Sequence, residues 1–199
     1  MLSAGGLAAG WVYARSPYLT GVGWPVDQPV SFSHKHHVGD DGIDCRFCHA
    51  GVETSARAGL PSTHVCMTCH SRLWTGAAVL APVRDSLASG HPLVWHRVAQ
   101  LPDYVHFNHA IHVARGVGCV ECHGRIDRMP LAMRARPFQM RFCLDCHRDP
   151  APRLRPVALV TQMEPLEWSA DRQRHFGARV VTAHRIDPAR LVNCGTCHR

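Results

Sequence analysis

The sequence predicts a mainly irregular chain with short α-helices and too little apolar material for an ordinary core. Three observations predict it. The 199 residues include 14 Pro and 16 Gly, which interrupt regular structure. No long stretch holds a helical or strand periodicity, and aromatic residues make up only 7% of the chain. All ten Cys fall in one five-residue pattern that occurs five times.

The copies are Cys45-Arg46-Phe47-Cys48-His49, Cys66-Met67-Thr68-Cys69-His70, Cys119-Val120-Glu121-Cys122-His123, Cys143-Leu144-Asp145-Cys146-His147 and Cys194-Gly195-Thr196-Cys197-His198. C-x-x-C-H is the attachment signature of c-type haem, in which two thiols bond to the porphyrin edge and the His sits under the iron. The chain therefore predicts five covalently bound haem c groups. At about 40 residues per haem, the haems themselves form the core. Structural zinc sites need four ligands and give no reason for a His directly after the second Cys. Disulfides do not require a His at a fixed offset. Cubane iron–sulfur clusters take four thiolates each, which does not divide ten.

The formal charge of +7 and pI near 9.1 suggest nucleic acid on their own. The propionates of five haems bring about ten negative charges, which removes that inference. The basic residues, nearly all Arg, then serve as propionate partners through the planar guanidinium fork. No nucleic-acid partner is expected.

Thioether attachment of haem takes place outside the bacterial cytoplasmic membrane, so the chain is expected on its outer, periplasmic face. Residues 1–29 form a membrane-proximal segment. Met1 to Tyr13 is apolar, and Trp11 and Tyr13 beside Arg15 resemble the interfacial belt at the end of a transmembrane anchor. A signal-peptide remnant is the rival reading.

Residues 30–76 and 105–148 read as two dihaem modules. The first opens with Phe32-Ser33-His34-Lys35-His36-His37 and the second with Phe107-Asn108-His109-Ala110-Ile111-His112. Each F-x-H-x-x-H precedes two attachment motifs, with 11 residues from His34 to Cys45 and 10 from His109 to Cys119. Residues 77–104 connect them, with a short helix expected over Ala77 to Leu87. Residues 149–199 begin Asp149-Pro150-Ala151-Pro152-Arg153-Leu154-Arg155-Pro156, which excludes regular helix or central strand. That segment is expected to cross the surface or lie on a partner subunit, and it ends in the fifth motif.

Of 16 His, the proximal ligands are His49, His70, His123, His147 and His198. Residues three apart share a helical face, so His34 and His37, and likewise His109 and His112, are expected to reach two different irons each. The fifth distal ligand stays open between two residues. His184 lies ten residues before Cys194, matching the offset of His109. Met140 lies three before Cys143, and a thioether ligand there would raise that haem's potential. His106 is the substitute. His36, His64, His91, His96 and His175 are spares.

This combination of F-x-H-x-x-H and C-x-x-C-H resembles the class III multihaem cytochromes, which are electron carriers with two His on each iron. The likeness tightens through Trp95-His96-Arg97-Val98, Leu101 to His109, Gly116 to Arg125 and Phe142 to His147. Over residues 30–150 and the terminal motif, the chain looks like the membrane-anchored pentahaem subunit of alternative complex III, a bacterial quinol oxidoreductase. The resemblance implies an electron-transfer subunit that is not an enzyme on its own. It also implies three kinds of partner. A polytopic membrane subunit oxidises quinol, an iron–sulfur subunit of molybdopterin-enzyme type relays electrons, and a monohaem cytochrome c or other periplasmic acceptor receives them.

Two alternatives compete. A multihaem reductase needs one iron with a vacant distal site, which the supply of spare His disfavours. A small membrane-anchored quinol dehydrogenase carries four haems as a rule and would need one near the membrane, a place that falls to the haem at Cys45.

Overall fold

Each attachment motif lies on a helical turn. In the computed structural model, which describes residues 2–198, the motifs occupy α3 (Cys45–Cys48), α4 (Thr63–His70), α7 (Cys119–His123), α8 (Met140–Arg148) and α11 (Cys194–Cys197). Cysteines three apart then face one way. The predicted first and last segments reach Met1 and Arg199, which lie outside the described residues. The remaining α-helices are α1 (Leu2–Arg15), α2 (Pro17–Thr20), α5 (Ala81–Ser89), α6 (His109–Ala114), α9 (Ala170–Ala183) and α10 (Pro188–Leu191). No β-strand occurs among the described residues, only isolated bridges such as Val117 with Leu154 and Val105 with His198. The fold is mainly irregular with short helices, as the Pro and Gly content predicts.

The conventional core is thin. Val30, Leu80 and Val83 form one buried cluster beside Cys66 and Met67. Val113, Ala151, Leu154, Val160 and Met163 are buried elsewhere. The accessible surface is 12967 Å². A typical monomer of 22.0 kDa exposes about 9,300 Å². The chain thus exposes a few thousand Å² more than a typical monomer of its mass, part of it on Leu7, Trp11, Val12 and Tyr13 of α1.

Helix α1 rises about 21 Å at 1.5 Å per residue, short of the ~30 Å bilayer core. No helix among the described residues is long and apolar enough to cross a membrane. The Arg15 guanidinium lies 3.1 Å from the centre of the Trp11 ring. The chain after α2 is then tied to residues 132–134: Arg134 Nη1 donates to the Thr20 carbonyl at 2.9 Å, and Gly23 N to the Arg134 carbonyl at 2.8 Å. The Gln28 side chain exchanges two hydrogen bonds with the His96 backbone at 2.8 and 2.9 Å. The spare His96 is thus a clamp on the N-terminal segment.

The short helix expected over Ala77 to Leu87 forms as a 3₁₀ turn at Ala78–Leu80 running into α5. The expectation for residues 149–163 needs correction. The segment from Asp149 is expected on the surface or on a partner, yet Ala151, Leu154, Arg155, Val160 and Met163 are buried within this chain, between exposed Pro152, Val157 and Gln162. Prolines exclude regular structure, but they do not exclude burial when other groups satisfy the backbone. Gln173 Nε2 donates to the Leu154 carbonyl at 2.5 Å, and Arg155 N donates to the Gly116 carbonyl at 2.8 Å. Gly116 has φ +80° and lies against the Arg155 carbonyl, so a side chain there meets both strain and collision.

Candidate functional site

The two F-x-H-x-x-H segments fold alike. In the first, His34 caps a π-helical turn over Lys35–Asp40 that carries His37; in the second, α6 carries both His109 and His112. Phe32 stands edge-on to His34 at 4.9 Å and stacks on His37 at 4.4 Å. Phe107 repeats this with His109 at 4.7 Å and His112 at 4.6 Å. The Phe is thus a wedge that splays the two imidazoles toward different partners.

Each splayed imidazole faces one from a C-x-x-C-H motif. Ring centres are 6.5 Å apart for His34 and His49, 6.1 Å for His37 and His70, 6.5 Å for His109 and His123, and 6.2 Å for His112 and His147. Two imidazoles bound on opposite sides of one metal, at about 2 Å from each nitrogen, have centres roughly 6.3 Å apart. The four pairs fit haem iron held between two His.

The hydrogen bonds behind the rings agree. Six of these rings present Nδ1 to a backbone carbonyl: His37 to Ser33, His49 to Gly59, His70 to Leu73, His109 to Ala56, His112 to Asn108 and His147 to Leu191, at 2.7–3.2 Å. A carbonyl only accepts, so Nδ1 carries the proton and Nε2 keeps its lone pair for a metal. Burial, with His49 nearby, pushes His34 down to about 4, and burial, with His109 nearby, does the same to His123. Burial also lowers His112. These rings are neutral at pH 7, the form that ligates.

The fifth motif differs. His198 faces the Tyr104 ring at 5.9 Å, and Val105 forms an antiparallel bridge with it. His106 N donates to the Cys197 carbonyl at 2.7 Å, so the substitute ligand lies beside this motif. Met140 begins α8 with its side chain 66% exposed. His184 is exposed at the end of α9. Among the described residues no ring contact joins either of the two predicted distal ligands to His198.

Sequence reasoning missed Arg155. It is only 7% exposed, it lies against Gly118, and its Nε has no hydrogen-bond partner. Its Nη1 donates to the Gln162 carbonyl at 2.8 Å. Cys45 and Cys119 share a hydrogen bond that, with burial, holds the Cys45 thiol well above the ordinary range; the same bond holds Cys119 below it, against burial.

Paired imidazoles with paired thiols define a multihaem c-type cytochrome. Comparison with known proteins agrees: residues 105–199 match the family described as cytochrome c7 and related cytochrome c. This part of the chain is similar to that family, and the similarity implies covalently bound haem c. The chain is also 36% identical over 126 residues to the "Menaquinone reductase, multiheme cytochrome c subunit" of Nitratidesulfovibrio vulgaris. The alignment covers 63% of this chain and 53% of that relative, so the chain spans about half the length of the curated protein it matches.

Proposed function

We propose that the chain holds five haem c groups through Cys45/Cys48, Cys66/Cys69, Cys119/Cys122, Cys143/Cys146 and Cys194/Cys197. We read it as an electron-transfer subunit of a quinone-linked complex. The carrying observation is the four imidazole pairs, each joining one His of an F-x-H-x-x-H segment to one His of an attachment motif. Haem iron supplies one-electron exchange between ferric and ferrous states. The chain's residues do the rest. The paired imidazoles would hold each iron from two sides, which would disfavour substrate chemistry at the metal. Carbonyls on Nδ1 fix ring orientation and ligand basicity. Close spacing and burial set distances and potentials. A fifth iron would take His198 as proximal ligand and His184 or Met140 as distal ligand, with His106 as substitute.

The partners follow from the resemblance to alternative complex III: a polytopic quinol-oxidising membrane subunit, an iron–sulfur subunit of molybdopterin type and a monohaem cytochrome c or other periplasmic acceptor. The site of action is the outer face of the cytoplasmic membrane. One observation favours the opposite direction of flow, since the relative is named a menaquinone reductase. In that reading a periplasmic donor feeds electrons toward quinone. Purification from the native membrane with neighbouring subunits, followed by mixing with quinol or quinone, separates the two. Reduction of the haems by a quinol in the intact complex supports quinol oxidation. Quinone reduction by the prereduced complex supports the reverse, and recovery without any membrane subunit contradicts both.

A further inference from the structure

The chain order of the motifs is not their order in space. Four sets of contacts fix which sites are neighbours. His34 and His37 share one helical turn and face His49 and His70, so the Cys45 and Cys66 sites adjoin. His109 and His112 share α6 and face His123 and His147, so the Cys119 and Cys143 sites adjoin.

The two modules meet at the Cys45 and Cys119 sites. Ala56, in the loop after the first motif, accepts from both Nδ1 and the backbone N of His109, at 2.9 and 3.2 Å. Ser55 accepts from Ala110 N at 3.1 Å. The same loop supplies the Gly59 carbonyl to His49. On the other side, residues 160 and 161 bridge the motifs. Cys119 N donates to the Val160 carbonyl at 2.9 Å, and Thr161 Oγ1 donates to Asp44, beside Cys45, at 2.9 Å. The Cys143 site then meets the last one. His147 donates to the Leu191 carbonyl at 3.2 Å, three residues before Cys194, and α8 packs on α10.

The geometry points to one unbranched row of haem sites in the order Cys66, Cys45, Cys119, Cys143, Cys194, with the first and last as the two ends where electrons enter and leave. The two exposed cysteines, Cys69 and Cys194, belong to those end sites. The row passes from one module to the other through sites read first in each, so the duplication is joined head to head. An external one-electron donor is oxidised at one end and an external one-electron acceptor is reduced at the other, and no bond in this chain is made or broken. The inference rests on the five-haem reading. A haem count by mass tests that reading separately from the order.

The test is to locate the irons in the holoprotein by anomalous scattering at the iron edge, with each iron assigned by its attached cysteines. The expected result places the iron of Cys66/Cys69 next to that of Cys45/Cys48 and farthest from that of Cys194/Cys197. A last iron nearer to the Cys66 or Cys45 iron than to the Cys143 iron overturns the order. A functional arm uses ligand swaps, which leave both thioether bonds in place. The variant H70M is expected to shift the potential of its own haem and of one neighbour in an EPR-monitored redox titration. H123M is expected to shift its own and two neighbours. Equal numbers of shifted neighbours in the two variants overturn the linear arrangement.

Discussion

At the scale of single residues, the imidazole pairs differ in a way that spectroscopy reads. The ring planes of His34/His49 and His109/His123 are within 6° and 8° of parallel, and those of His112/His147 within 22°. His37/His70 cross at 67°. Parallel axial planes split the iron d orbitals strongly, and crossed planes leave them nearly degenerate. One low-spin haem is therefore expected to give an EPR signal at distinctly higher maximum g than three others, and H70M is expected to remove that signal. Loss of a different signal in H70M would contradict the pairing. Arg155 belongs to this scale too. Arg155→Met keeps most of the buried volume but strips the Gln162 carbonyl of its donor. The expected cost is about 1–3 kcal/mol, read as a lower denaturation midpoint. An unchanged midpoint would show that Arg155 is not a structural tie. The Arg125 guanidinium holds the Asp127 and Glu164 carboxyls below their usual range. Groups with depressed values stabilise the fold above the unfolded value near 4 and lose that contribution as pH falls through the folded value. The melting-temperature gap between wild type and D127N is thus expected to shrink below about pH 4. A gap that persists at lower pH would contradict it.

At the scale of elements, the interior depends on close approach of backbone to backbone. Gly177 in α9 lies directly on the Ala151 carbonyl, so a Cβ there collides with main chain that has no room to yield. Gly177→Ala is expected to destabilise by about 1–3 kcal/mol in chemical denaturation, an overpacking cost. Gly5→Ala, which meets nothing within 4 Å, serves as the control. Equal midpoints for the two would contradict the packing of α9 on residues 151–153. Much of the site was legible in the sequence because covalent chemistry dictates it. The C-x-x-C-H spacing is a property of the thioether bridge, and F-x-H-x-x-H spacing is a property of one helical turn. The wedge role of Phe32 and Phe107 was not legible, because it depends on how the two rings splay. Helix α9 was missed although Ser169 caps it by accepting from Arg172 N at 3.2 Å. Its weakly patterned face packs on an irregular segment rather than on another helix. The burial of residues 149–163 was misjudged because proline content reports regularity and says nothing of depth. The carbonyls that orient the imidazoles come from Ala56, Gly59, Leu73 and Leu191, and backbone contacts of that kind leave no side-chain signature.

At the scale of the whole molecule, a chain of 199 residues with few buried apolar side chains among the described residues is expected to be held together by what the motifs bind. The same logic sets how it fails. Without haem attachment, the paired imidazoles and thiols lose the groups that join them, and no large apolar core takes over. Chain produced without haem maturation is expected to lack a cooperative thermal transition, whereas the holoprotein melts cooperatively. A cooperative transition in the haem-free chain would show that the polypeptide carries its own core. The central claim is that every attachment motif holds a haem. Intact mass of the mature, denatured protein tests it most directly: the account predicts the polypeptide mass plus five haem groups that survive denaturation, and a mature product carrying four or fewer would contradict it.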